Sequence, residues 1–408
     1  MADAVGRRPA ILVLSSTFPR WPGDHEPPFV LELSRRLAER FDVWLLAPHA
    51  PGARRQEQMA GIEVERFRYA PDSLEQLAYQ GGILARLKQQ PWRWLLVPLF
   101  ITAQWWALHR LLRRQHFDAI HSHWLIPQTL IALLAGAGRK APLLCTSHGG
   151  DLFGLRAAPL PSIKAGVLKR CSAVTVVSRA MRDEVQRLLP GQMAEVVPMG
   201  TDLTGRFTPG SDSARRGDTL LFVGRLVEKK GVNHLLDALA QLQRQGRQLQ
   251  LWIVGQGPGL EPLQAQTERL GLAAWVTFWG AVEHARLADF YRLATLAVTP
   301  SVVAEGGDQE GFGLVIVEAM GCGCPVVASA LPAIGDIVID GETGLLVPPA
   351  DPTALAHAIG QLLDQPEQAR RLATTARQRV VERFDWQQVT ERYADLLLRM
   401  IERNERPA

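Results

Sequence analysis

The chain has 408 residues, of which 47 % are hydrophobic and 21 % are charged. This composition excludes the collagen-like, coiled-coil and intrinsically disordered classes, and the length favours two domains. Four cysteines are too few for a disulfide framework in a chain of this length, so we expect reduced thiols and a cytoplasmic protein.

The formal net charge of +4 is unevenly distributed. Residues 1–205 contain 25 Lys and Arg against 17 Asp and Glu, whereas the remainder contains 20 against 24. A basic first half can meet an acidic lipid surface or a phosphate-bearing acceptor, and an ordinary solvated arginine-rich surface is the alternative. Nucleic acid is not expected as a partner, because no nucleic-acid-binding motif accompanies the charge.

The first half alternates short apolar runs with helical stretches, which predicts a mostly parallel, doubly wound sheet. A helix is predicted over 29–40, because Val30, Leu33 and Leu37 share one face. The predicted strands of this half are 10–14, 43–47, 62–67, 119–121, 143–147 and 173–177.

The same pattern then restarts, which predicts a second Rossmann-like domain. Its predicted strands are 219–223, 251–254, 276–279, 296–299 and 325–328, with a helix over 232–242. The polar stretch 204–216 contains proline and glycine and is predicted as a linker. We therefore expect an N-terminal domain over 1–203, a C-terminal domain over 204–385, and a C-terminal helix over 386–408.

Two carboxylates eight residues apart, Glu310 and Glu318, give the strongest functional signal. Glu310 is predicted in a loop at the carboxyl end of a strand, and Gly311 and Gly313, which follow it, let the backbone approach a ligand closely. The apolar run after it predicts a helix whose N-terminus favours a phosphate. Glu318 falls in the second turn, so one carboxylate can bind sugar hydroxyls and the other ribose hydroxyls. The alternative is a pair of solvated helix charges.

Two further groups of residues also follow predicted strands. Arg225 leaves the strand 219–223, and Lys230 precedes the next helix, so both charges can converge on one diphosphate. Lys229 is an alternative to Lys230. In the first half, His148 follows the strand 143–147, beside two glycines. His121 and His123 end another strand, and we interpret them as structural rather than metal-binding, because no matching ligand cluster is visible.

Taken together, these motifs resemble those of family 4 glycosyltransferases, which are retaining enzymes with the GT-B fold. The similarity extends over nearly the whole chain and includes the segments Val197–Asp202 and Asp340–Pro348. It implies an α/β fold of two Rossmann-like domains facing across a cleft, with a C-terminal helix that crosses back to the first domain.

The resemblance also implies roles for individual residues. Arg225 and Lys230 would neutralise the donor diphosphate, Glu310 would hold sugar hydroxyls, and His148 would lie beside the donor sugar. Glu318 would bind ribose, and Gly23 corresponds to the family's glycine-rich loop, although many members have two adjacent glycines there. The donor would also contact the backbone of four consecutive residues, Gly311, Phe312, Gly313 and Leu314.

A metal or other cofactor is not expected, because the chain contains no Asp-x-Asp motif and cationic residues can stabilise the leaving group instead. The donor is expected to be a UDP- or GDP-sugar, and the acceptor a lipid-linked, saccharide or small-molecule hydroxyl. The alternatives are a GT-B epimerase or phosphorylase, and a catalytically silent donor-binding subunit of a glycan assembly complex.

The segment 91–114 is apolar, contains four tryptophans and ends in arginines. Such a helix can lie in a membrane interface, or it can pack into the core of the first domain. The first interpretation predicts a cytoplasmic protein that is peripheral on the inner face of the membrane.

Overall fold

The computed structural model describes residues 7–24, 26, 28–79, 82–83, 86–87, 90–154, 157–210 and 218–405. The chain divides into two compact units, each organised around one sheet. The first unit comprises residues 1–177, 182–197 and 390–408, and the second comprises 178–181 and 198–389.

These limits place residues 198–203 in the second unit, whereas the sequence pattern assigns them to the first. The backbone explains the difference, because Thr201 donates to the carbonyl of Phe384 and accepts from the N–H of Trp386. The N–H of Leu203 also donates to the carboxylate of Asp385, at 3.1 Å. Residues 211–216 of the predicted linker lie outside the described residues.

The sheet of the first unit has the order β3-β4-β2-β1-β5-β6-β7-β8. Its pairings are parallel except for the antiparallel contact of β3 with β4. Its strands are β1 (Ala10–Leu14), β2 (Asp42–Pro48), β3 (Gln56–Met59), β4 (Ile62–Phe67), β5 (Ala119–His123), β6 (Leu143–Ser147), β7 (Ala173–Val176) and β8 (Glu195–Val196). All residues of β1, β5 and β6 are buried, as expected when helices cover both faces of a parallel sheet.

The strand order of this sheet reverses between β1 and β5, so the loops that follow these strands lie at its topological switch point. The helices of the N-terminal half are α1 (Phe29–Leu37), α2 (Leu96–Arg114), α3 (Leu130–Leu134), α4 (Ala137–Lys140), α5 (Gly150–Phe153), α6 (Leu160–Leu168) and α7 (Arg179–Leu188). Helix α1 ends three residues earlier than predicted, at Leu37, and Arg40 lies beyond it.

The sheet of the second unit is parallel throughout and has the order β11-β10-β9-β12-β13-β14. Its strands are β9 (Thr219–Val223), β10 (Gln250–Val254), β11 (Val276–Gly280), β12 (Leu296–Thr299), β13 (Val326–Ser329) and β14 (Leu345–Val347). The helices of this half are α8 (Val232–Arg244), α9 (Leu260–Arg269), α10 (Leu287–Leu293), α11 (Leu314–Gly321), α12 (Pro352–Asp364), α13 (Pro366–Phe384) and α14 (Trp386–Glu405). Here the order reverses between β9 and β12.

The C-terminal helix α14 starts in the second unit and belongs to the first unit from Thr390 onwards. Within the first unit, Arg392 donates to the carbonyl of Val196 at 2.7 Å, and the Tyr393 hydroxyl donates to Val197 at 3.4 Å. Tyr393 is fully buried. These contacts explain why the last helix of the chain completes the first unit.

Candidate active site

In the second unit, the loops after β9 and β12 meet at the switch point of the sheet. Lys230 follows β9, and its Nζ lies 2.5 Å from Oε2 of Glu310, which follows β12. The neighbouring Lys229 contacts the same loop, with its Nζ 3.1 Å from Oδ1 of Asp308. The structure thus brings Lys230 and Glu310 together, which the spacing alone does not predict.

The backbone holds these two loops close to each other. Gly231 adopts a φ of +62° and precedes α8, and a Cβ at this position would lie 2.0 Å from the carbonyl oxygen of Pro300. The N–H of Val302 donates to the carbonyl of Lys229, at 2.9 Å. Only glycine fits here, because the conformation is left-handed and the neighbouring backbone leaves no space.

Glu310 is a partly buried carboxylate between cationic groups. Burial alone would raise its pKa, but the charges of Lys230 and Lys229, together with hydrogen bonds from Lys230 and from the backbone of Phe312, lower the pKa to about 2. Because this pKa lies below the ordinary value of 4.5, ionised Glu310 stabilises the fold above about pH 4.5. That contribution is lost as the pH falls towards 2.

Helix α11 starts four residues after Glu310, at Leu314. Gly311, Phe312 and Gly313 are buried, and Leu314 is the first residue of the helix. Gly313 has a φ of +111° and caps the helix without a side chain. The first amides of the helix are therefore not occupied by a capping side chain, and such amides favour an anionic group.

Glu318 lies in the second turn of α11, as predicted, and its side chain is buried. Its carboxylate accepts a hydrogen bond from the Tyr291 hydroxyl at 3.1 Å and contacts Nε2 of His284 at 2.9 Å. Arg206 donates to Nδ1 of the same imidazole, at 2.9 Å. Because Nδ1 accepts the hydrogen bond from Arg206, a neutral His284 carries its proton on Nε2, which faces Glu318. Sequence reasoning missed the roles of Tyr291, His284 and Arg206, because no motif links residues so far apart in the chain.

Arg225 follows β9 and is exposed. The backbone next to it is anchored by the N–H of Leu226, which donates to the carbonyl of Gln256 at 3.0 Å. Arg225 therefore lies at the same strand end as Lys230, as the sequence predicts.

In the first unit, the loop after β6 is organised by the buried carboxylate of Asp151. It accepts hydrogen bonds from the Ser147 hydroxyl at 2.9 Å, from the backbone of His148 at 3.2 Å and from the backbone of Leu125 at 2.8 Å. Burial raises the pKa of Asp151 despite these hydrogen bonds. The carboxylate thereby joins the loops after β5 and β6.

His148 lies in an aromatic cluster near the switch point of the first unit. Its Nε2 is 2.9 Å from Nδ1 of His123, and the two rings are stacked. The rings of Trp124 and Phe29 lie 4.9 and 5.0 Å from that of His148, between centroids. Burial, with a smaller effect of His121, lowers the pKa of His148 to about 3, so the imidazole is neutral at pH 7.

The structure gives His121 and His123 different surroundings. His121 is fully buried and its Nε2 lies 2.7 Å from the Thr146 hydroxyl, whereas His123 contacts His148. Within the described ranges, one group of side chains has the spacing of metal ligands, and it contains none of the predicted site residues: His49, Asp72 and Glu75. The guanidinium of Arg68 contacts both carboxylates of that group, so a cation is already present there.

Gly23 lies in the loop after β1, has a φ of +80° and is exposed. This loop is braced by Arg20, whose guanidinium forms two hydrogen bonds with Asp24, at 2.8 and 2.6 Å. The Arg20 guanidinium also lies 4.4 Å from the ring centroid of Trp21.

The chain is similar to known glycosyltransferases over most of its length. A D-inositol 3-phosphate glycosyltransferase of Geodermatophilus obscurus is 32 % identical over 397 residues, which cover 89 % of this chain and 82 % of the relative. A phosphatidyl-myo-inositol mannosyltransferase of Mycobacterium leprae is 33 % identical over 370 residues, covering 88 % of each chain. The solved structure of a sucrose-phosphate synthase from Thermosynechococcus elongatus has a TM-score of 0.79 at 25 % identity and covers 97 % of this chain and 100 % of its own.

The two Rossmann-like units are those of a GT-B glycosyltransferase. The family model "Glycosyltransferase Family 4" matches residues 28–204, and "Glycosyl transferases group 1" matches residues 209–379. The chain belongs to glycosyltransferase family 4.

The ion pair of Lys230 with Glu310 predicts a specific response to substitution. In Lys230→Met, the burial of Glu310 remains while its main cationic partner is lost, so we expect the pKa of Glu310 to rise by about 1 to 3. The measurement is a carbon-13 NMR titration of the glutamate carboxyls, with Glu310→Gln identifying the resonance. Lys229→Met is the matched control and is expected to cause the smaller rise. An unchanged pKa in Lys230→Met would contradict the pairing.

The close approach of Gly231 to Pro300 also leads to a stability prediction. Gly231→Ala adds left-handed strain and a backbone clash, so we expect a loss of about 3 kcal/mol or more in the free energy of unfolding, measured by urea denaturation. Gly271 has a φ of +70° with open space around the added Cβ, so Gly271→Ala isolates the strain, at about 1 kcal/mol. Equal losses in the two variants would show that the loops after β9 and β12 separate easily.

Proposed function

We propose that the protein transfers a hexosyl group, with retention of configuration, from a UDP- or GDP-sugar to a hydroxyl of a lipid-linked or polysaccharide precursor. The observation that carries the proposal is the contact of Lys230 with Glu310 beside the N-terminus of α11, at the switch point of the second unit. Ligands of open α/β sheets bind at this position, and the residues here suit an anionic sugar conjugate.

On binding, the donor would replace the contact between Lys230 and Glu310 with separate contacts to each of these two side chains. Its diphosphate would bind Lys230, Arg225 and the first amides of α11, which supply positive charge without a metal ion. Glu310 would then accept hydrogen bonds from sugar hydroxyls, because an ionised carboxylate is an acceptor only. Each group in the pair therefore has a ligand of matching chemistry.

Glu318 is the proposed ligand of the ribose. An ionised carboxylate offers about four acceptor positions. Tyr291 and His284 occupy two of them and hold the group in one orientation. The remaining positions suit the two neighbouring hydroxyls of a ribose.

His148 is proposed to lie beside the donor sugar. Because the imidazole is neutral, it can form a hydrogen bond with a hydroxyl without placing a cation next to the developing oxocarbenium ion. His123 fixes the orientation of this ring through the contact between Nδ1 and Nε2. His123 would thus act as a positioning residue.

We propose that the acceptor attacks from the face that the leaving group vacates. The bond between the anomeric carbon and the donor phosphate breaks, the acceptor oxygen bonds to that carbon, and the acceptor proton passes to the leaving phosphate oxygen. The role of Arg225 and Lys230 is to stabilise the charge that grows on that phosphate. This route requires no covalent sugar–enzyme intermediate, in keeping with the assignment of Glu310 to sugar hydroxyls.

The nature of the acceptor is proposed from charge. Residues 1–205 carry eight more Lys and Arg than Asp and Glu, which favours an acceptor that bears phosphate. The names of two relatives, an inositol 3-phosphate glycosyltransferase and a phosphatidyl-myo-inositol mannosyltransferase, contain acceptors of this kind.

The first experiment measures nucleoside-diphosphate release from a panel of UDP-, GDP- and ADP-sugars, in EDTA, with polyprenyl phosphate and membrane extract as acceptor sources. We expect release from one donor, and a loss of about 10²-fold or more in Glu310→Ala and Lys230→Ala. Lys169→Ala, an exposed lysine of the first unit, is the control and is expected to be fully active. Tight nucleotide binding without release from any donor would favour a silent donor-binding subunit.

The positioning role of His123 has a separate test. His123→Phe keeps an aromatic ring but removes the partner of His148, so we expect a decrease of about tenfold in kcat with little change in KM for the donor. In His148→Ala the partner is already absent, so the double variant is expected to be no slower than His148→Ala alone. Additive losses in the double variant would show that His123 acts independently of His148, which would contradict the positioning role.

A further inference from the structure

A row of large apolar side chains is exposed along α2 and the 3₁₀ turn before it. These side chains, the outer row, are Trp92, Trp94, Leu95, Leu99 and Trp106, with exposed fractions of 43, 56, 76, 51 and 57 %. Single exposed apolar residues are ordinary on protein surfaces, but three tryptophans and two leucines on one short segment form a patch.

The opposite face of α2 is part of the core of the first unit. Leu96, Phe100, Leu108 and Leu111 are buried, and the Phe100 ring contacts those of Phe67 and Tyr69. Among the described residues, Pro91–Arg114 is the one segment long and apolar enough to cross a membrane. Crossing would remove these side chains from the core, so the packing favours a helix that stays on the surface of the unit.

The end of α2 that follows the outer row is basic. Arg110 and Arg113 are exposed and continue the row at helical spacing from Trp106. Lys140 donates to the carbonyl of Leu112, at 3.3 Å, and thereby adds its charge, next to that of Arg139, at the same end. These four residues are named the basic end. The segment 91–114 itself contains no Asp or Glu, and Arg114, at the same end, is paired with Glu65.

We propose that the outer row and the basic end form a binding surface for an anionic lipid bilayer, with α2 lying in the plane of the headgroups. Tryptophan prefers the level of the headgroups, and arginine and lysine are attracted to anionic lipids. The part of the outer row from Leu95 to Trp106 extends over about 16 Å, which is far less than the roughly 30 Å of a hydrocarbon core. A helix of this pattern therefore lies along the interface.

Charge complementarity favours a bilayer over a second copy of this chain. Two copies that met through α2 would bring one basic end close to the other, or bury it against apolar side chains. A bilayer accommodates both parts at once, because the tryptophans and leucines enter the interface while the arginines remain at the level of the phosphates. The proposal does not depend on the proposed transferase activity.

The test is co-sedimentation of the full chain with vesicles of phosphatidylcholine, with and without one third phosphatidylglycerol. We expect tight binding to the anionic vesicles, weakened by salt. Arg110→Gln/Arg113→Gln is expected to weaken that binding by about 30-fold and to leave the weak binding to neutral vesicles unchanged. The triple variant Trp94→Ser/Leu99→Ser/Trp106→Ser is expected to weaken binding to both kinds of vesicle.

Matched variants of the second unit are the controls. Trp279 is 46 % exposed, and Arg269 and Arg286 are exposed arginines outside the proposed surface. Trp279→Ser and Arg269→Gln/Arg286→Gln are expected to bind vesicles as the unchanged protein does. Nucleotide affinity and thermal unfolding of every variant establish that it is folded.

Three outcomes would overturn the proposal. The first is that the protein without substitutions binds neither kind of vesicle. The second is that the arginine double variant and the triple variant both bind anionic vesicles as tightly as the protein without substitutions. The third is a dimer in light scattering that the triple variant abolishes while vesicle binding persists, because the outer row would then be an interface between copies. Nucleoside-diphosphate release in solution is expected to survive in the α2 variants, so failure here is distinguishable from failure of the proposed function.

Discussion

The contact between Lys230 and Glu310 joins the two loops on which the second unit's site depends. One loop follows β9 and the other follows β12, and the reversal of strand order between these strands makes them neighbours. The geometry has little tolerance, because Gly231 leaves no space for a side chain next to Pro300. In the absence of a substrate each of these charges has the other as its partner, so neither is left buried and unpaired, which would be strongly destabilising.

Local sequence patterns predict most of this architecture. Apolar runs locate β1, β4, β6, β9 and β12 at their observed limits, and the same patterns place Arg225, Lys230 and Glu310 at strand ends. Strand β3 is missed because Gln56–Met59 is polar, and it becomes a strand by pairing with β4. Periodicity cannot indicate such a strand, because its stability comes from a partner and not from its own burial.

The contacts between distant residues are the part that the sequence could not predict. Lys230 and Glu310 are each recognisable, but their direct pairing depends on strand order, which no local pattern encodes. Glu318 has two partners, His284 and Tyr291, that belong to no motif. Their positions depend on how residues 284–293 pack beside α11. His123 is a similar case. The sequence alone offers a structural or a metal-binding role for this residue, and neither includes its contact with His148.

The contribution of α14 to the first unit has a consequence for how the chain is made. Tyr393 is buried against His121, and its hydroxyl interacts with the side chains of Thr146 and Thr175. During synthesis, His121, Thr146 and Thr175 are translated long before Tyr393. The first unit therefore remains unfinished until the whole second unit has been translated. A chain interrupted before α14 would leave His121, Thr146 and Thr175 without the cover that Tyr393 provides.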